Sequence, residues 1–397
     1  MIRNRDIVII SIQPWDVEIG GNGKNIAIEF HRFNRVLYVN PPLDRISRLK
    51  ERKDQKIKKR IRIRKGTDPD LVQIDDQLWT LYPKVLVESI NWIGLPWIYD
   101  LFNKRNNRLF AKDIQIAVSR LGFNNFILFN DSSMFLGYYL KELLTPEIYL
   151  YYTRDNLIAV DYWKRQGVRL EAELMNKVDL VVANSTYLAS QARKFNRNSY
   201  YVGQGCDGSL FDSKLVTSVP ADIDKITKPI IGYIGVLFSL RLDIEVIEYI
   251  AENRPDWSIV LIGPEDDNFK NSRLHQLKNV YFLGTKPMPE LPSYLSQFDV
   301  AINPQILNPV TIGNYPRKID EYLAMGKPTV ATKTEAMSAF AEFTYLAENK
   351  EEYGLLIEKA LEEDNDMAHI KREQFAHEHT WENNIREIYK AIQSSKI

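Results

Sequence analysis

What most constrains this chain is an alternation of short, wholly apolar runs with stretches of helical period. DIVIIS (6–11), RVLYVN (35–40), FILFN (126–130), IYLYY (148–152) and DLVVAN (179–183) recur through the first half. The second half repeats the scheme with PIIGYIG (229–235), WSIVLIG (257–263), NVYFLG (279–284), DVAINP (299–304) and PTVAT (328–332). A strand without polar alternation must be covered on both faces, and strands alternating with helices, here at 23–34 and 163–177, pair in parallel. The predicted fold class is therefore α/β, with two Rossmann-like parallel-sheet domains facing each other across a cleft. Segment 213–229, which holds two prolines and no sustained period, reads as the linker. It divides the chain into domains 1–212 and 213–376, with a closing helix, WENNIREIYKAI, within 377–397. Ligands of such sheets bind beyond the carboxyl ends of the strands.

Bulk properties remove several function classes. The 397 residues are 45% hydrophobic and 26% charged, enough for two cores, and the zero net charge gives a nucleic-acid partner no support. Cys206 is the sole cysteine. Disulfide scaffolds and cysteine-rich metal sites are excluded, and a reducing cytoplasm is the expected compartment. The start MIRNRDIVIISIQPW lacks a signal-peptide pattern, and SINWIGLPWIY (89–99) is about half a membrane span and contains a proline.

The segment NPVTIGNYPRKIDEYLAMGKP (308–328) reads as a loop entering a short helix. Pro316 suits the first helical position and Gly326 the residue past the end. Arg317 and Lys318 then occupy the first turn, where unpaired backbone N–H groups already present partial positive charge. Two readings stand. Arg317 pairs with Glu321 at i, i+4 and Lys318 is solvated; or an anion occupies the helix N-terminus. In the second reading the TIGN loop (311–314), with Asn314, adds donors, Lys318 and Arg317 supply charge, and Glu321 accepts from neutral hydroxyls such as those of a ribose.

Two further loops follow strand ends. GYIGVLFSLRLD (232–243) closes a strand with Gly232-x-x-Gly235 and places Arg241 before a helix that begins near Asp243. GGNGKNIAIEF (20–30) sets Gly20 and Gly21 ahead of a helix after the first strand. An ordinary αβ connection and a plain tight turn are their bland counterparts. Other patterns are decoys. GQGCDG (203–208) fits a dinucleotide fingerprint in letters, but loop-like sequence follows it rather than a helix. GGNGKN lacks the first glycine and the Ser/Thr of a P-loop. DPD (68–70) reads as a solvated turn rather than a metal-binding pair, and His377 and His379 read as surface residues flanking the last helix.

PRKIDEYLAMGKPTVAT resembles the Pro-x-Lys-x-x-Glu-Tyr-Leu-Ala-x-Gly-Lys-Pro-Val-Val signature of GT-B glycosyltransferases. The branch is close to retaining family 4, of the teichuronic-acid and capsular polysaccharide type. ANSTYLASQARKFNRNSYYVGQGCDGSLF, NVYFLGTKPMPELPSYLSQFDVAINP and the closing HTWENNIREIYKAI resemble other segments of that family. The likeness covers nearly the whole chain and is weak over 44–125. It implies an acceptor-side N-terminal domain, a nucleotide-sugar-binding C-terminal domain, and a last helix crossing back onto the first. Glu321 would hold the donor ribose, Arg241 would contact phosphate, and Lys318 would lie beside the diphosphate. Gly20, Gly21 and Gly235 would approach the donor, and no cofactor or metal would be needed beyond the nucleotide sugar. The pattern also departs from the family. Gly313 stands where an earlier glutamate is expected, Val236 where an arginine is common, and Arg154-Asp155 where many relatives carry His-Asp.

The implied activity is hexosyl transfer from a nucleotide sugar to a glycan or lipid-linked acceptor, with Lys318, Arg154 and Asp155 as the catalytic candidates. The departing diphosphate would be stabilised by fixed cations and a helix terminus. A capping or turn role for Asp155 stands beside this. The basic run RISRLKERKDQKIKKRIRIRKG (45–66), with Trp92, Trp97, Tyr99 and Phe102 nearby, reads either as a face for anionic lipid or as a solvated helix beside core aromatics. A nucleotide-sugar epimerase and a non-catalytic nucleotide-sugar binder remain as alternatives.

Overall fold

The computed structural model describes residues 2–16, 21–50, 54–206 and 210–395. The chain divides into two units, Met1–Gly203 with Asn384–Ile397, and Gln204–Asn383.

In the first unit the apolar runs become strands because only a sheet covered on both faces can bury them. β1 (Asp6–Ser11), β2 (Arg35–Val39), β3 (Leu71–Asp75), β4 (Leu78–Leu81), β5 (Ile127–Asp131), β6 (Ile148–Thr153), β7 (Leu180–Ala183) and β8 (Ser199–Tyr201) form one sheet in the order β8-β7-β6-β5-β1-β2-β4-β3. Every pairing is parallel except β3 with β4. β1 sits centrally and is buried along its whole length, with Ile7 opposite both Val36 and Ile127. Helices α1 (Asn22–His31), α2 (Gln55–Lys65), α3 (Pro96–Leu121) and α4 (Asp161–Lys177) belong to this unit. α3 starts at Pro96, whose missing N–H costs nothing there, and ends at Gly122, which takes the left-handed φ of +61°.

The second unit holds β9 (Ile230–Ile234), β10 (Ser258–Ile262), β11 (Val280–Gly284), β12 (Val300–Asn303), β13 (Thr329–Thr332) and β14 (Tyr345–Ala347) in the order β11-β10-β9-β12-β13-β14, all parallel. α5 (Ile244–Asn253) is capped by Asp243, which accepts from the Glu245 and Val246 amides. α6 (Arg317–Ala324) follows β12. The segment expected as a linker falls inside this unit, largely exposed but anchored at one point. Ile223 is buried beside Phe211 and Ile230, and Asp222 pairs with Lys286 and Tyr294.

The closing helix α7 (Trp381–Ser394) joins the first unit from Asn384 onward. Its apolar positions Ile385, Ile388, Tyr389 and Ile392 fall on one face at helical spacing and are all buried. The Tyr389 ring lies 5.5 Å from Phe30 of α1, its hydroxyl accepts from Asn34 at 2.8 Å, and Asn384 donates to the Val202 carbonyl at 2.9 Å.

Candidate functional site

The second unit gathers two sequence-distant features at the carboxyl edge of its sheet. β9 ends at Ile234 and is followed by Gly235, whose φ of +147° is open to glycine alone. A Cβ there would lie 2.8 Å from the Lys318 ammonium and 2.9 Å from the Tyr233 hydroxyl. Lys318 comes from the first turn of α6. It donates to that hydroxyl at 2.5 Å and stands 4.2 Å over the ring centroid. The cation is thus neither free nor neutralised by a carboxylate. A phenol and a π-face hold it in place; Glu321 feels its charge but makes no ion pair with it.

Its neighbour behaves differently. Arg317 donates from Nε to Glu321 Oε1 at 3.2 Å, the i, i+4 pair. The two readings of this helix entrance therefore divide by residue: Arg317 takes the intrahelical pairing, and Lys318 does not take the solvated role. Burial pushes the Glu321 carboxyl up, against the opposing pull of Arg317 and Lys318. Asn314 is buried just ahead of the helix, and its side-chain oxygen has no partner. Pro316 is the cap rather than the first helical residue. Gly326 closes the helix in the left-handed region at φ +67°, with Gly326 N–H on Leu323 and Lys327 N–H on Tyr322. Arg241 is exposed on the turn before α5; its carbonyl accepts from Ile306 N–H, and no contact joins its guanidinium to Lys318.

His379 corrects an expectation. Rather than lying on the surface, it gives Asp320 Oδ1 a contact of 2.7 Å from Nδ1 and packs among Phe340 and Phe375. Asp320 is fully buried, and burial raises its carboxyl while His379 and Tyr315 draw it down. The pair fixes the first turn of α6 from beneath. His377 is exposed, as expected.

Residues 228–366 match the family model described as Glycosyl transferases group 1. They form a group 1 glycosyltransferase domain. Gly235, Arg241, Asn314, Arg317, Lys318 and Glu321 all fall inside it. Over 249 residues, 60% of this chain, the sequence is 25% identical to TuaH of Bacillus subtilis (strain 168), whose name places it in teichuronic acid biosynthesis as a glycosyltransferase. The match spans 62% of that relative's length. Solved structures of similar fold include a sucrose-phosphate synthase from Thermosynechococcus elongatus, with TM-score 0.67, 15% identity, and 99% and 100% of the two chains covered. Others are an α,α-trehalose-phosphate synthase from Burkholderia vietnamiensis (0.69, 10%, covering 99% and 97%) and Anabaena Alr3699/HepE in complex with UDP-glucose (0.61, 16%, covering 98% and 99%). At these identities the likeness is one of fold, and that fold is GT-B.

Outside the group 1 domain, the first unit places the candidates Arg154 and Asp155 in a charged centre whose buried member, Asp131, sequence reading overlooked. Asp131 ends β5 and is completely buried. Ser11, at the end of β1, donates to its Oδ2 at 2.7 Å, and Arg154 donates from Nε to its Oδ1 at 2.8 Å. Arg154 lies 3.5 Å from Asp155 on its other side. Burial works against the Arg154 charge, but Asp131 and Asp155 outweigh it and hold the guanidinium above its ordinary value. Gly23 of α1 lies so close that a Cβ would be 2.6 Å from Asp131 Oδ2. Gly21 caps α1 in extended conformation, and Gly20 lies outside the described residues. The signal for Asp131 was present, a carboxylate ending an otherwise apolar run, but its partners come from other strand ends.

The DPD carboxylates are ion-paired rather than simply solvated: Asp68 with Arg62, and Asp70 with Lys84 and Arg120. Among the described residues no cluster of three potential metal-ligating side chains occurs, and no helix is long and apolar enough to cross a membrane.

Proposed function

We propose that this protein moves a sugar from a nucleotide-diphosphate sugar to a glycan or lipid-linked acceptor in bacterial surface polysaccharide synthesis, with retention and without a metal ion. The observation that carries this is the convergence of Gly235 and Lys318. A glycine-opened strand end and an ammonium with no ion-pair partner meet at a helix N-terminus, a layout suited to a diphosphate. Lys318 then stabilises the departing diphosphate, with Arg241 swinging in from its exposed turn. Glu321, already turned toward Arg317, accepts from ribose hydroxyls through its remaining oxygen. The Anabaena relative's complexes with UDP and UDP-glucose support a nucleotide donor. TuaH supports the polysaccharide setting.

The acceptor side is read as facing an anionic membrane. Trp92, Trp97, Leu95 and Leu101 are exposed together, and Lys56, Lys58, Arg64 and Lys65 of α2 are exposed cations. Others of the basic run are engaged: Arg45 with Glu88, Lys59 with Asp16, and Arg62 with Asp68.

A thermal-shift panel of UDP, GDP, dTDP and CMP tests the donor. One nucleotide at a hundredfold excess over its dissociation constant should add about 2.7 kcal/mol of apparent stability. Acceptor-dependent release of that nucleotide from its sugar completes the test and separates transfer from epimerisation. No shift with any of the four would overturn the reading.

A further inference from the structure

The first unit contains a cavity of about 680 Å³, within the range of small-ligand sites, about 300–1,000 Å³. α3 forms one wall through Tyr99, Asn103, Asn106 and Phe110, which share a helix face at i, i+4, i+7 and i+11. Phe135 and Trp163, stacked with centroids 5.3 Å apart, line it as well. The lining also includes Ser11, the residue bonded to Asp131, and the exposed Trp92 and Tyr162, at 70% and 63% accessibility. The cavity thus links the charged centre at the strand ends with an aromatic rim.

Its wall carries polar groups that the protein does not satisfy. Tyr99 and Asn103 are 0% and 1% exposed, yet the Tyr99 hydroxyl and Asn103 Nδ2 have no partner. Asn107 Nδ2 donates to Asn103 Oδ1, which fixes the free Asn103 amide as a donor. Asn91 Nδ2, also lining the cavity, is unpartnered too. Leaving one such group unmade costs about 1–3 kcal/mol. Of the lining carboxylates, Asp44 accepts from Ser89 and two backbone amides, Glu88 accepts from Arg45, and Asp161 is exposed. The buried groups left unmade are therefore a hydroxyl and two amide donors in a largely aromatic and aliphatic chamber.

We infer that this cavity binds an amphipathic lipid, its hydrocarbon lying among the rings and its oxygens accepting from the Tyr99 hydroxyl and Asn103 Nδ2. The inference rests on the proposed transfer and chooses within it: the acceptor is lipid-linked rather than a free glycan. A saccharide would set most of its hydroxyls against aromatic and aliphatic walls, where each unmade bond is costly. The rim, continuous in sequence with exposed Leu95 and Trp97, gives an apolar chain its way in.

The test uses the whole chain without nucleotide. Dodecyl phosphate, kept below its micelle concentration, is titrated while tryptophan fluorescence and calorimetric stoichiometry are followed; maltotriose is the saccharide probe. Wild type should bind dodecyl phosphate saturably, one to one, and maltotriose should not compete. Tyr99→Phe should weaken binding roughly tenfold without lowering the melting temperature, because the lost hydroxyl had no protein partner. Leu136→Trp, which fills the cavity, should abolish it. Asn103→Leu leaves Asn107 its backbone acceptors and should likewise bind about tenfold more weakly. Absent saturable binding, affinity unchanged in all three variants, or displacement by maltotriose would overturn the inference. Nucleotide protection without lipid binding overturns this site alone, whereas lipid binding without nucleotide protection overturns the transferase reading and leaves the site standing.

Discussion

Lys318 owes its position to a phenol rather than to a carboxylate, which makes it separable from the fold. Lys318→Ala should lower turnover by about 10²–10³-fold while leaving the melting temperature nearly unchanged. Steady-state rates beside a thermal melt decide this, and unaltered turnover would remove Lys318 from the donor clamp. Asp131 is the opposite kind of residue, since its charge is matched inside the protein. Asp131→Asn leaves the Arg154 guanidinium, whose side chain is only 10% exposed, with Asp155 at 3.5 Å as its remaining carboxylate, and should cost about 3 kcal/mol in urea unfolding. Adding Arg154→Met should recover much of that loss. Glu171 behaves differently again. Burial raises its carboxyl from 4.5 to about 7, although the Tyr151 hydroxyl donates to it and pulls the other way. The folded chain therefore binds more protons than the unfolded chain between those values, and stability falls as pH rises through that window. Glu171→Gln should remove the slope, worth up to roughly 3 kcal/mol at 1.36 kcal/mol per unit. Chemical denaturation at pH 4.5, 6 and 8 measures it, and equal slopes in both proteins would refute the assignment.

Among elements, the strand ends of the second unit are the tightest. A Cβ on Gly263, at φ +146°, would approach the Gly235 carbonyl oxygen to 1.9 Å, a collision with backbone rather than with a yielding side chain. Gly263→Ala should therefore lower the melting temperature and displace Gly235, weakening nucleotide protection more than an exposed-loop alanine such as Gly94→Ala, whose Cβ meets nothing within 4 Å. Matching losses in the two variants would argue against the coupling. The same scale shows what the sequence could reveal. Ten strands were readable because an apolar run without polar alternation has no other burial. The hairpin β3–β4 was not, because β3 is an edge strand with Gln73, Ile74 and Asp75 exposed, and its pattern matches that of a polar loop. The Lys318 entrance was legible as a local contradiction between charge and helix dipole. Asp131 was not, because which strand ends adjoin is a property of sheet order. β5 lies next to β1 and β6, and only that adjacency brings Ser11 and Arg154 to it. The lipid-type cavity left no trace for the same reason, its lining being drawn from many separate segments.

For the molecule as a whole, the closing helix is part of the first unit's structure. Truncation after Asn383 would uncover Phe30 and strip Asn34 of its bond to Tyr389. The shortened chain should lose stability in its first unit, seen as faster proteolysis within residues 2–206, while residues 210–383 stay resistant. Uniform resistance would show the helix to be dispensable. There is also a consequence for synthesis. Residues 204–383 are contiguous, whereas the first unit is interrupted by them and completed only by α7. As the polypeptide leaves the ribosome, the second unit has all its parts while the first still awaits α7. The half that begins first waits on α7, and its unsealed flank must be tolerated until that helix is made.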